Sequence, residues 1–143
     1  MIEFHAGIGP DTQAIGIALE EMFLDYRLMP GRAPMPVIAL GGARVVGAPN
    51  ILMALARKTG RFLPDSEAAA PFLANAPLDP AALAVQLAGA DFILGHITIV
   101  DMNVYPRLAS DRAALLAYPV IGRWAARMAS RAATGRGMSI AAK

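Results

Sequence analysis

The strongest constraint on this chain is a change of pattern at Phe62-Leu63-Pro64. Before that point, apolar runs of strand length alternate with two stretches of helical length. After it, nothing reads as a strand. Ile2 to His5 forms a strand, broken by Gly7, Gly9 and Pro10. Asp11 caps a helix running to about Leu24, in which Ile15, Ala18, Leu19, Met22 and Phe23 fall at helical spacing. Tyr26 to Met29 reads as a second strand, and Pro30, Gly31 and Pro34 as a loop. Val37 to Leu40 and Arg44 to Val46, joined at Gly41-Gly42, make a hairpin. Pro49 sits in the first turn of a helix that stops near Gly60. Beyond Pro64, Ser66 to Leu73 and Ala81 to Leu87 are short alanine-rich helices, broken by Pro71, Pro77 and Pro80. Thr98 to about Leu116 reads as one longer helix, and Pro119 opens another that reaches about Arg131. The expected organisation is an α/β unit, residues 1–64, followed by an all-α unit, residues 65–143.

Composition narrows the function classes. With 56% hydrophobic residues, the 143-residue chain can bury enough apolar surface to offset its ordering entropy. Thirteen Lys and Arg against eleven Asp and Glu leave a net charge of +2, too balanced for a nucleic-acid footprint. No cysteine is present, which removes thiolate catalysis, disulfides and iron–sulfur clusters together. The most apolar segment, Ala81 to Met102, contains Gln86, Asp91, His96 and Asp101, each costly in lipid. Met1 to His5 has no basic segment leading into an apolar one, so no secretion signal is read there. The expectation is a soluble cytoplasmic protein that binds neither nucleic acid nor membrane.

Local chemistry is sharpest at residues 98–102. Thr98 can accept from the Asp101 amide, and Asp101 can reach back to the Thr98 amide, a capping box with Ile97 and Met102 as its staple. Taken with its surroundings, Phe92-Ile-Leu-Gly-His-Ile-Thr-Ile-Val-Asp101 resembles the segment before the buried sixth helix of glutathione S-transferases. Tyr118-Pro-Val-Ile-Gly-Arg-Trp124, with Arg131 and Arg136-Gly137-Met138, resembles that family's last helix and tail. Pro10-Asp-Thr-Gln-Ala-Ile-Gly-Ile-Ala-Leu-Glu-Glu21 is similar to the first helix of the Nu-like bacterial class. Met35-Pro36-Val37-Ile38 resembles the segment carrying the family's cis-proline, and Ile51-Leu52 with Leu55-Ala56 the helix after it.

The resemblance implies a truncated thioredoxin-like N-terminal domain followed by a shortened helical glutathione-transferase C-terminal domain. It implies strand order 2-1-3-4; between the first helix and Pro36 only a strand and a loop fit, so the family's second helix is missing from this chain. Pro30 to Pro34 can cross the ~10 Å between those strand ends. It also implies glutathione as substrate, a small thiol joined to hydrophobic electrophiles or disulfides, and a homodimer. Asp11 and Thr12 stand where the family stabilises the thiolate. The family's threonine hydroxyl is replaced by Gly9, an ionised Asp11 would repel a thiolate, and Thr12 could donate one position late. Helix capping is the competing role for both. Gln13 matches a glutathione-contacting glutamine, with an exposed helical glutamine as the alternative. Met35 and Pro36 correspond to the backbone contact with the cysteinyl unit, with a trans-proline in a plain turn as the alternative at Pro36. Gly47 and Ala48 replace a Glu-Ser pair, so only backbone amides remain for the γ-glutamyl end. Losing two or three charge-assisted hydrogen bonds weakens binding by roughly 10³-fold.

Other chemistry finds little support. His5 and His96 lack partners at metal-ligand spacing, so no metal is expected. Arg123, Arg127 and Arg131 form a stripe on the last helix, read as a solvated face or as partners of interdomain carboxylates. Two functions follow: weak glutathione-dependent transferase or thiol–disulfide activity, or a non-catalytic pseudo-transferase that acts as a dimerisation or protein-binding module.

Overall fold

The computed structural model describes residues 1–7, 9–31, 33–74 and 78–140. Among them the N-terminal part runs β1 (Ile2–His5), α1 (Pro10–Glu21), β2 (Tyr26–Leu28), β3 (Val37–Leu40), β4 (Ala43–Val46) and α2 (Ala48–Thr59). The remainder is helical: α3 (Ser66–Leu73), α4 (Pro80–Leu87), α5 (Ile99–Leu108), α6 (Arg112–Ala117), α7 (Pro119–Ala129) and α8 (Ala132–Met138). The expected fold class is therefore present. The sheet order is β2-β1-β3-β4, with β1 parallel to β2 and antiparallel to β3. No helix lies between β2 and β3 among the described residues; Met29 and Ala33 instead donate to the Phe4 and Ala6 carbonyls of the neighbouring segment. No helix among the described residues is long and apolar enough to cross a membrane. Pro77, read as a helix breaker, lies outside the described residues.

Local chemistry sets most boundaries. The β3–β4 turn uses Gly41 and Gly42 at φ 57° and 84°, a two-residue turn that needs positive φ at both positions. Gly60 ends α2 in the left-handed conformation. Three readings need correction. Gly9, not Asp11, is the N-cap of α1, and no side chain closes that turn. Pro71 sits inside α3 rather than breaking it. The single helix expected over Thr98–Leu116 is two, because Asp111 caps α6 by accepting from the Ala114 amide and so starts a new helix.

α1 is the centre of the molecule. Ala14, Ile15, Ile17, Ala18 and Leu19 are all fully buried, so this helix is apolar around its circumference. It packs on α2, α5 and α8. One continuous cluster of buried side chains runs from Ile2 and Phe4 in the sheet to Trp124 and Ile140 near the C-terminus. α8, missed in the sequence, lies against α1. A Cβ on Gly137 would fall 2.3 Å from the Ile17 nitrogen, and one on Gly16 would fall 2.9 Å from the Gly137 carbonyl oxygen. Such backbone contact excludes any side chain at the crossing.

Charges clamp the same contact. Arg131 holds the buried Glu21 through two hydrogen bonds, and Arg136 holds Glu20 at 3.0 Å. Arg127 donates from Nε to the Asp91 carbonyl at 2.9 Å. Of the arginine stripe, Arg131 alone meets a carboxylate, Arg127 meets a backbone carbonyl, and Arg123 is solvent-exposed. Elsewhere, Arg61 lies 5.7 Å from the Phe23 ring and 5.1 Å from the Phe62 ring, tying the end of α1 to the connector after α2.

Asp101 organises the helical part. The capping box forms as expected, with Asp101 Oδ2 accepting from the Thr98 amide; Thr98 Oγ1 also accepts from the Val100 amide. Asp101 Oδ1 also accepts from the Ile93 amide at 3.0 Å and from Trp124 Nε1 at 2.9 Å. Trp124 in turn stands edge-on to Tyr105. Burial pushes the Asp101 carboxyl above its ordinary value, and the donated hydrogen bonds pull it back only in part.

Candidate functional site

The register of the sheet decides which segments meet. His5 pairs with Val37, and Val37 with Val46, so the end of β1, the start of β3 and the end of β4 share one row. From that row the chain leaves through Gly7 and Gly9 into α1, enters from Met35-Pro36, and leaves again through Gly47 into α2. The starts of two helices and the Met35-Pro36 corner are thereby gathered at one sheet edge. The Gly47 amide donates to the Pro36 carbonyl at 2.9 Å. A Cβ on Gly47 would lie 3.3 Å from Met35 Cε, and one on Gly7 would lie 3.2 Å from Pro36 Cδ.

No side-chain cap closes the first turns of α1 and α2, nor those of α7 and α8. The N-caps Gly9 and Gly47 carry no side chain that could close the first turn. In α3, α4, α5 and α6, by contrast, Asp65, Asp79, Thr98 and Asp111 each cap with a side-chain oxygen. An uncapped helix start presents free amides and the positive end of the dipole. Gly47 has φ 86°, a conformation that disfavours the glutamate expected by analogy at that position.

The side chains read from the sequence have other engagements. Asp11 accepts from the Arg107 guanidinium, which reaches over from α5 and also donates to Asn103 Oδ1 at 3.3 Å. Thr12 is fully buried, and its Oγ1 has no hydrogen-bond partner among the described residues. Gln13 Nε2 donates to the Met138 carbonyl at 3.2 Å, so it anchors the end of α8. Met35 is half exposed, whereas Pro36, Gly47 and Ala48 are buried. No peptide bond among the described residues is cis, so the expected cis-proline at Pro36 is corrected to trans. Trans is the lower-energy form, and here it already seats Pro36 against Gly7 and under the Gly47 amide.

Arg107 and Asn103 were missed. Their four-residue spacing, which places both on one face of α5, was the available signal. His5 ends β1, and His96 is exposed in the turn before α5. No group of three metal-ligating side chains exists among the described residues.

A mixed sheet in the order 2-1-3-4, open helix starts along one edge and a helical part packed on α1 define a thioredoxin-like unit joined to a helical one. This is the fold of the glutathione transferases. A glutathione transferase from Burkholderia graminis, solved with two glutathione molecules bound per subunit, matches with a TM-score of 0.73 at 20% identity, covering 97% of this chain and 88% of that one. One from Pseudomonas putida, with one glutathione disulfide bound per subunit, gives 0.77 at 18% identity, covering 97% and 91%. Another from Methylococcus capsulatus gives 0.78 at 17% identity, covering 99% of each chain. No protein-family model and no curated protein matches the chain.

Proposed function

We propose that this glutathione-transferase-like chain binds glutathione at the sheet edge where α1, Met35-Pro36 and α2 meet. The carrying observation is the His5–Val37–Val46 register, which puts two uncapped helix starts side by side. In this reading residues 1–64 are the thioredoxin-like domain and 65–143 the helical one. The Met35 backbone addresses the cysteinyl unit, and the start of α2 receives the γ-glutamyl carboxylate through the Ala48 amide and the helix dipole, because the Gly47 amide is spent on the Pro36 carbonyl. Gln13 borders the ligand from α1. Activity is low and directed to small hydrophobic electrophiles or disulfides in the cytoplasm.

A second reading, binding without catalysis, has specific support. Thr12 is buried away from any sulfur at the surface, and Arg107 already occupies Asp11. A pseudo-transferase that dimerises or binds another protein fits those two facts. Turnover of 1-chloro-2,4-dinitrobenzene separates the readings, since the second expects no conjugation, and concentration-dependent light scattering tests its dimer.

Isothermal calorimetry with glutathione tests the first reading. Saturable heat in the millimolar range is the expected result, and none at that concentration would end the transferase reading and leave the protein-binding module. Ala48→Ser should tighten binding by about threefold to tenfold, because it adds one hydroxyl at the start of α2. Gly47→Glu is a poor companion test, since its backbone conformation costs about 1–3 kcal/mol with any side chain.

A further inference from the structure

A second concavity lies away from the sheet edge, at the meeting of α3, α4 and the turn before α5. It has a volume of about 380 Å³ and is lined by Pro64, Asp65, Ala68, Gln86, Ile93 and His96, among others. That size suits a small molecule. We propose that this cleft binds a small organic cation, a primary ammonium or guanidinium carried on a short apolar stem.

Its polar rim offers two acceptors, the Asp65 carboxylate and the Gln86 side-chain oxygen, beside the His96 ring. Asp65 Oδ2 accepts from the Ala68 amide at 3.0 Å, and no donor among the described residues reaches Oδ1. Gln86 spends its Nε2 on the Ile93 carbonyl at 3.0 Å, which leaves its Oε1 to accept. No lysine or arginine lines the cleft, so the Asp65 carboxylate is its one formal full charge, beside the exposed His96 ring. Pro64, Ala68 and Ile93 supply the apolar wall for the stem.

The floor is held rigidly. Ile93 is anchored through its amide to Asp101 Oδ1, the oxygen that Trp124 Nε1 also uses. A ligand therefore meets a wall already in place, which lowers the ordering cost of binding. Charge sign supplies the selectivity: an exposed carboxylate contributes modest attraction to a cation and a comparable penalty against an anion. This inference is independent of glutathione binding.

The test is a set of amide and side-chain nitrogen–proton spectra of the full chain, titrated with 2-phenylethylammonium, phenylacetate and 2-phenylethanol. These share a stem and differ in charge. Saturable shifts at Ile93 and the Gln86 amide with the ammonium alone are expected. Asp65→Asn removes the charge while keeping an equally good N-cap for α3, and should weaken ammonium binding about fivefold. The proposal is overturned by the absence of saturable shifts, by equal response to all three compounds, or by unchanged affinity in Asp65→Asn.

Discussion

Gly137→Ala is expected to lower the thermal midpoint by roughly 6–12 °C, the effect of about 3 kcal/mol in a chain of this size. The added methyl would stand 2.3 Å from the nitrogen and 2.5 Å from the Cα of Ile17. Those are backbone atoms in the middle of α1, a helix buried on every side, so no side-chain rotation relieves the overlap. α8 must lift off instead. It would take with it the Arg136–Glu20 pair, the Gln13–Met138 hydrogen bond and the burial of Ile140. Gly135→Ala, two positions away, is the control. A Cβ there meets nothing within 4 Å, so the exchange should stabilise α8 by about 0.5–1 kcal/mol through helix propensity. Circular dichroism melts of the two variants should move in opposite directions, with faster amide exchange in α8 for Gly137→Ala. Equal midpoints for both would mean that the α1–α8 crossing is looser than described.

That contrast explains why α8 was illegible in the sequence. Gly135 and Gly137 argue against a helix by propensity, and only docking on α1 overrides them. The sheet and the first two helices were legible because their boundaries are chemically local. Gly41-Gly42 must turn, Pro49 must start and Gly60 must stop a helix. The split between α5 and α6 had an equally local signal in Asp111, outweighed by the continuous apolar pattern across it.

The candidate site divides along the same line. Met35, Pro36 and Gly47 lie together because the hairpin register joins their segments. The fate of Asp11 and Gln13 depended on partners far away in the chain. Arg107 lies 96 positions from Asp11, and Met138 lies 125 from Gln13. No periodicity reports such pairings. A first turn that looked free to meet a ligand is partly committed to holding the helical part in place, and this is the physical ground for expecting weak chemistry there.

Asp101→Ala should destabilise the chain by about 3–5 kcal/mol, because it strands three buried donors at once. Those donors are the amides of Ile93 and Thr98 and the indole Nε1 of Trp124. They come from the turn before α5, the start of α5 and the middle of α7, so one carboxylate fixes three segments. Asp101→Asn tests the geometry more finely. Its Oδ1 could still serve Ile93 and Trp124, but its Nδ2 would confront the Thr98 amide, donor against donor. A loss of about 2 kcal/mol, smaller than for alanine, is therefore expected. The pH dependence carries its own sign. Burial raises the Asp101 carboxyl above its ordinary 3.8 in the folded chain. The resulting stabilisation is fully present below the unfolded value and is lost as pH rises through the folded one. Asparagine lacks this titration, so the gap in stability between the native chain and Asp101→Asn should shrink from acidic to neutral pH. Urea denaturation of both proteins across that range, followed by the fluorescence of Trp124, measures it. A gap that widened with pH would mean that the three donors outweigh burial and hold the carboxyl below its ordinary value.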